Sequence, residues 1–411
     1  MTQTSDAPTI TADTGLADLD PDALRAELVA RAAKLRPLLE ENATQTELDR
    51  RVVEDNITAI REAGLFKVMV PRRFGGLQTD IRTKLEVSRE LAKGCGSTAW
   101  VTALQNVCAW IAGLTSDQCQ IDIWGDNPDA RIAGVFDPAG QTRRVDGGWM
   151  TTGRWAWASG ILHADWCLVG VLMTDESGDV VDQGLALVPM SDVSVEDTWF
   201  VAGMKGSGSN TIVAEHIFIP EHRVMSVPGL IAGNPPTPHT DEALYRSAFV
   251  PVAALILVGA QLGLCQAALD LVIEKAPRRG VTYTEYEQQT YAPTVQLALA
   301  RAAILVDTAH LHAYRAAADI DDAAREGRLL DYTERARVRM DTGYVAETAR
   351  EAIRVLCSAH GASSFADASP MQRIWRDSEV ASRHAVVHPE ISAEIYGRAL
   401  LGIEGGVSPL V

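Results

Sequence analysis

Two histidines four residues apart, His384 and His388, have the spacing that sets two imidazoles on one face of a helix, where they can grip a metal ion. Pro389 follows the second directly, and no third ligand is spaced to complete a coordination set, so no metal site is predicted. His384 keeps a use of its own, because an imidazole titrates near the working pH and can take or give a proton with little tuning. His310 and His312 are two residues apart, would point to different helix faces and carry no hypothesis. Trp155, Trp157 and Trp166 crowd a stretch dense in strand-forming residues. They make either a β-domain core or a wall against a planar cofactor, and strand alternation lets only one of Trp155 and Trp157 face such a group.

Other chemistries lack their signatures. There is no GxSxG elbow, no phosphate loop ending in Gly-Lys-Ser or Gly-Lys-Thr, and no GxGxxG joining a strand to a helix. A formal net charge of −17 argues against nucleic acid, whose phosphates require clustered Lys and Arg. The six cysteines, at positions 95, 108, 119, 167, 265 and 357, form no CxxC pair, which fits small core residues kept reduced in a cytoplasm.

Positioning such groups requires a sizeable scaffold, and 411 residues leave room for two or three core-bearing units. Residues 1–20, rich in Thr, Asp and Ala with no basic start before an apolar run, predict a loose tail rather than a secretory signal. Residues 21–130 show helical spacing, as in Leu24, Leu28 and Ala32 or Val53, Ile57 and Ile60, with a loop at Pro71–Gly76 and a helix over Thr83–Lys93.

From 131 to 238 short alternating segments stand between turn residues at Asp137–Gly140, Asp146–Gly148 and Glu176–Asp179. Strands are predicted over Trp149–Trp157, Trp166–Met173, Gly184–Pro189 and Thr211–Ile219. Helical spacing returns over 239–411, in long segments such as Tyr291–Ala318 and Tyr332–Ala359, which suits a bundle. The apolar run Val250–Val272 is interrupted by Gly259, Gln261, Gly263 and Gln266 and predicts a buried helix, not a membrane span.

The order of helices, small β-domain and helical bundle resembles the acyl-CoA dehydrogenase fold, an α+β, mostly α architecture with a middle β-sandwich or barrel and a C-terminal four-helix bundle. Local matches fall in the family's order. Gly64–Gly76 resembles its early loop, and Gly203–Asn210 followed by His216–Pro220 resembles its β-domain signature. Arg279 with the helix containing Gln296, then His360, Gly361 and Ala362, and Met371–Asp377, resemble segments that hold the flavin phosphate end across a subunit interface. That resemblance implies a homo-oligomer, a dimer of dimers. An Arg fork and a close backbone at glycine suit a phosphate. The alternative for Arg279 is a solvated charge beside Arg278.

Within that fold, acyl-CoA dehydrogenases use a carboxylate base, in many members eight residues after the Asp of the closing Arg-Asp pair. Counting from Asp377 reaches Ala385. One residue earlier stands His384, where the flavin monooxygenase branch of phenol hydroxylases, dibenzothiophene-type and nitrososynthase-like enzymes has a histidine. Arg154–Gly160, with His163, Asp165 and Trp166, also resembles that branch.

The resemblance therefore implies a two-component monooxygenase: reduced FMN or FAD comes from a separate reductase, O2 adds to it as a hydroperoxide, and one oxygen passes to a small aromatic or heteroatom-bearing substrate. His384 and Ser159 become the catalytic candidates. Trp155, Trp157, Ser159, Gly160, Ser207, Ser209, Arg279, His360, Gly361 and Ala362 become cofactor-binding candidates, and Asn106, Cys108, His163 and His388 substrate-side ones. Asn106 or Cys108 stands where several phenol-hydroxylating relatives have a histidine, which puts phenols in doubt. The competing readings are an acyl-CoA dehydrogenase-type oxidoreductase and a catalytically idle family member.

Overall fold

The structure is a computed structural model and describes residues 15–16, 19–175 and 177–411. The expected loose tail lies mostly outside these residues, although Leu16 is described and is buried in the core. Six helices come first: α1 (Pro21–Glu41), α2 (Ala43–Leu48), α3 (Glu54–Glu62), α4 (Ile81–Gly94), α5 (Gly96–Gly113) and α6 (Asp117–Trp124). Their starts carry side-chain caps where the sequence provides them. Asp20 accepts the amides of Asp22 and Ala23, Asp80 that of Thr83, and Ser116 that of Cys119.

The chain then forms β1 (Ile132–Val145), β2 (Gly148–Ala158), β3 (Trp166–Thr174), β4 (Val180–Pro189), β5 (Ser194–Glu196), β6 (Asn210–Pro220) and β7 (Val224–Ser226). They build one sheet in the order β5-β6-β2-β1-β3-β4-β7, with β1 and β3 parallel and the other neighbours antiparallel. The turn expected at Asp137–Gly140 is instead an irregular part of β1. Its register against β3 slips between Val135 and Gly140, and a Cβ on Gly140 would lie 2.5 Å from the indole of Trp155. The β1–β2 hairpin does turn at Gly147, in the left-handed region at φ +75°.

The last third holds α7 (Val227–Ile231), α8 (Phe249–Leu255), α9 (Gly259–Lys275), α10 (Pro293–Glu326), α11 (Tyr332–His360), α12 (Pro370–Ala381) and α13 (Pro389–Leu400). The stretch Phe249–Arg278 is long and apolar enough to cross a membrane, yet 89% of its most apolar window is buried inside the protein. It is a core element. A helix that is apolar all round belongs in an interior, and α5 shows the same property, buried along nearly its whole length where it meets β1, α4 and α9. The side chains that α5 turns toward the sheet and toward α12 therefore sit at the junction of the three regions.

Asp377 fixes that junction. Its carboxylate, buried in α12, accepts the amide of Met204 at 2.5 Å from the loop before β6, and burial raises its pKa to about 6. The neighbouring Arg376 reaches the carbonyl of Ala202 and Glu47. Gly203 permits the approach, since a Cβ there would stand 2.1 Å from the Arg376 carbonyl oxygen. The β-domain loop and the helix leading to His384 are thus joined through groups that have no room to separate.

Candidate functional site

His384 does not share a helix with His388. α12 ends at Ala381, a short 3-10 turn spans Ala385–Val387, and α13 begins at Pro389. Pro389 holds His388 extended, because the residue before a proline is pushed out of the helical region, and His384 is itself extended beyond the end of α12. His388 stands exposed beside Glu390, with Nδ1 3.1 Å from its carboxylate.

His384 is open to solvent, yet burial among surrounding protein atoms, reinforced by the Arg339 charge, lowers its pKa to about 4. A group both wetted and desolvated lies in a cleft. Its Nδ1 accepts the amide of Val386 at 3.3 Å. The neutral ring therefore carries its proton on Nε2 and offers the cleft a donor, not a base. Its ring stands 6.1 Å, centroid to centroid, from that of Trp100 on α5.

Trp100 connects this imidazole to the β-domain. Its indole N–H donates to Ser159 Oγ at 3.1 Å. Ser159 Oγ lies 2.7 Å from Ser209 Oγ, which lies 2.7 Å from Ser207 Oγ, and all three serines are buried. Gly160 makes the turn that aims them. It adopts φ +75°, gives its amide to the Ser207 carbonyl at 2.8 Å, and a Cβ there would come within 2.8 Å of Val101 on α5. A run of hydroxyls at a close glycine backbone can meet the polar edge of a heterocycle.

The two tryptophans of β2 diverge. Trp155 walls no cleft: it is 1% exposed in the β-domain core, donating its indole N–H to the Gly170 carbonyl at 2.7 Å. Trp157, in the left-handed region at φ +70°, stands 73% exposed. A large ring left in water on a strained backbone suits a surface that meets something else.

The substrate-side expectations fare unevenly. Asn106 is fully engaged with backbone, accepting the Met69 amide and donating to the carbonyls of Leu65 and Thr102. It stitches α5 to the early loop and has no N–H donor left for a substrate. Cys108 packs between α5 and β1, and burial lifts its thiol to about 12, an inert core group. His163 is buried with Nδ1 3.4 Å from Arg51, Nε2 unpaired and a pKa lowered to about 4 by burial, so it is a neutral interior imidazole.

A second cluster lies at the far ends of α9 and α11. Arg279 places Nη1 2.9 Å from His360 Nδ1 and Nη2 2.8 Å from Ser363 Oγ. Burial and the Arg279 charge lower His360 to about 4, so a cation lies against a neutral ring, and no carboxylate pairs with Arg279 among the described residues. Gly361, at φ +81°, turns the chain into the 3-10 segment Ala362–Phe365, and a Cβ on Gly361 would meet nothing within 4 Å. An unpaired guanidinium, a hydroxyl and an open glycine backbone make a fitting seat for a phosphate. The residues present thus suit a flavin ring at one cluster and a flavin phosphate at the other, two places too far apart for one flavin to occupy within one chain.

Two groups at the site were not selected from sequence, Trp100 and Arg339. Trp100 lies in a stretch of α5 that is apolar all round and marks no face of its own, and a mid-helix arginine carries no sequence signal. A cavity of about 570 Å3 lined by Leu230, Tyr245, Phe249, Leu329 and Val411 touches neither cluster.

Residues 22–120 match the family described as "Acyl-CoA dehydrogenase, N-terminal domain" and residues 255–389 the one described as "Acyl-CoA dehydrogenase, C-terminal domain". The chain is 32% identical, over 91% of its length and 98% of the relative's, to the flavin-dependent monooxygenase oxygenase subunit HsaA of Rhodococcus jostii. It is 30% identical, over 92% and 94%, to the oxygenase component of an FADH2-dependent resorcinol hydroxylase of a Rhizobium species. Among solved structures, XiaF of a Streptomyces species in complex with FADH2 and glycerol superposes with a TM-score of 0.90 at 36% identity, covering 94% of this chain and 98% of that one.

Proposed function

The chain belongs to the acyl-CoA dehydrogenase family, among the oxygenase components of two-component flavin-dependent monooxygenases, and from that premise we propose that its oxygen chemistry takes place in the cleft between His384 and Ser159. Reduced flavin, delivered by a separate reductase, supplies the electrons that activate O2. The observation that carries the reading is the His384–Trp100–Ser159 arrangement, with a desolvated imidazole one residue before Ala385, the position at which many dehydrogenases carry their carboxylate.

In that cleft Ser159 holds its hydroxyl at the flavin edge, fixed by the Trp100 indole on one side and the Ser209 hydroxyl on the other. Trp100 excludes water between Ser159 and His384. His384 donates from Nε2 toward the oxygen being transferred or the oxygen of the substrate, and its lowered pKa keeps it neutral at working pH. Across the subunit interface that the family resemblance implies, Arg279, His360 and Ser363 hold the phosphate end of a flavin whose ring lies in a second copy of the chain. Trp157 lies against the bound ring system or a neighbouring subunit.

The assembly is a homo-oligomer, with a dimer of dimers as the expected form. Leu297, Ile304 and Leu311 recur every seven residues on α10 and stand 72%, 66% and 69% exposed, an apolar stripe that a second copy would cover. Six buried free thiols accord with a cytoplasmic location. The substrate is a small aromatic or heteroatom-bearing molecule.

Purified protein supplied with a generic flavin reductase, NADH, FMN or FAD and 18O2 should place one labelled oxygen in product across a screen of aromatic, sulfur and amine compounds. Tightly held FAD bleached anaerobically by an acyl-CoA, with no labelled product, would overturn the assignment in favour of dehydrogenation.

A further inference from the structure

Arg339 lies in the middle of α11 and is 4% exposed. Its Nε and Nη1 are buried without a hydrogen-bond partner, and no acid pairs with its guanidinium among the described residues. The half-buried Arg376 and Arg89 are matched by acids, Glu47 and Glu90, whereas Arg339 is the one arginine buried throughout among the described residues. A guanidinium taken out of water and left unpaired is a standing cost, and native structures seldom carry one without a ligand for it.

Its position indicates which ligand. α11 packs against the 3-10 turn that follows His384, and the Arg339 charge is one of the causes that hold the His384 imidazole neutral. The guanidinium therefore shares the protein interior with the cleft. It stands far along α11 from His360, whose neighbour Arg279 occupies the phosphate seat, since twenty-one residues of helix separate positions 339 and 360, roughly 30 Å. A flavin phosphate bound at Arg279 cannot also satisfy it.

We propose that Arg339 is a specificity residue that pairs with an anionic group on the substrate, a carboxylate in an aromatic acid being the best geometric match to its planar fork. The proposal rests on the reading of the His384 cleft as the oxygenation site and names the substrate class for it. An anion seated at Arg339 also fixes which carbon or heteroatom of the ring faces the transferred oxygen, so the pairing sets regiochemistry as well as affinity.

The test uses the full-length protein with FMN bound. Benzoate, phenylacetate and naphthalene-1-acetate are each titrated against their neutral amides, with binding read from Trp fluorescence and from the melting temperature. Wild type should bind at least one acid tenfold or more tightly than its amide, and that acid should raise the melting temperature. Arg339→Met should erase the preference while binding the amide as wild type does, and Arg339→Lys should retain part of it.

Without ligand, Arg339→Met should melt at or above the wild-type temperature, because an unpaired buried charge has been removed. Equal binding of every acid and amide by wild type, or a ligand-free Arg339→Met that melts lower, would overturn the proposal; the latter would mean that the guanidinium is already paired in solution, for instance across a subunit contact. Neither result bears on 18O incorporation into neutral compounds, so the anion assignment can fail while the oxygenation site stands.

Discussion

Replacing His384 with Ala is expected to cut product formation by about 10² to 10³ while reduced flavin is still bound and oxidised, the electrons leaving as hydrogen peroxide. The magnitude is that of removing one fixed donor aimed at an oxygen that gains charge in the transition state. Flavin binding should hold because the phosphate seat at Arg279 and the hydroxyl chain at Ser159 do not use this imidazole.

The pH dependence sharpens the test. With its pKa lowered to about 4, His384 stays neutral from about pH 5 upward, so kcat should show no inflection near 6.5. The sign follows from the depressed value: the proton that would charge the ring binds only below the working range. Peroxide yield, labelled product and a pH profile together check the claim. Unchanged coupling in the alanine variant would remove His384 from the mechanism, and a histidine-like inflection would show the ring to be a titrating base.

Arg279→Met should weaken FMN and FAD by about ten- to a hundredfold, the range expected for losing charge-assisted hydrogen bonds to a phosphate. Riboflavin supplies the control. It has no phosphate, so its affinity should be the same in wild type and variant when both are followed by flavin fluorescence quenching. The present partners of Arg279, a neutral His360 and the Ser363 hydroxyl, leave most of its charge uncompensated. Were Arg279 a solvated surface charge, all three flavins would bind the variant as they bind wild type.

Much of the architecture follows from local pattern. The strands over Trp166–Met173 and Thr211–Ile219 fall inside β3 and β6 because alternation and β-branched residues agree with the sheet they enter. The helix over Tyr332–Ala359 matches α11 to within one residue, helped by the capping box at Asp331 and Glu334. Asp137–Gly140 misleads because proline and glycine also mark a bulge inside a strand, and only the β3 partner tells the two apart.

Side-chain roles were less legible. His384 and Ser159 could be singled out by position within a family pattern, but burial decides what they do, and burial is a property of the whole fold. Asn106 and Trp155 look equally suited to a site in one dimension, yet backbone groups on other segments take up their N–H donors. Arg339 is the converse case. Nothing in the sequence of α11 separates it from Arg335 or Arg337, and only the packing of the whole bundle around α11 strands its charge inside.

Oxygen transfer in this cleft requires one spatial relation, a flavin ring held between the serine cluster of the β-domain and the imidazole after α12. An anaerobic crystal structure with reduced flavin measures it directly. The ring edge should lie within hydrogen-bond reach of Ser159 Oγ, about 3 Å, with His384 Nε2 facing the same side of the cleft and the phosphate end on the Arg279 cluster of a second copy of the chain. A flavin bound elsewhere, or a ring with His384 turned away behind intervening protein, would contradict it.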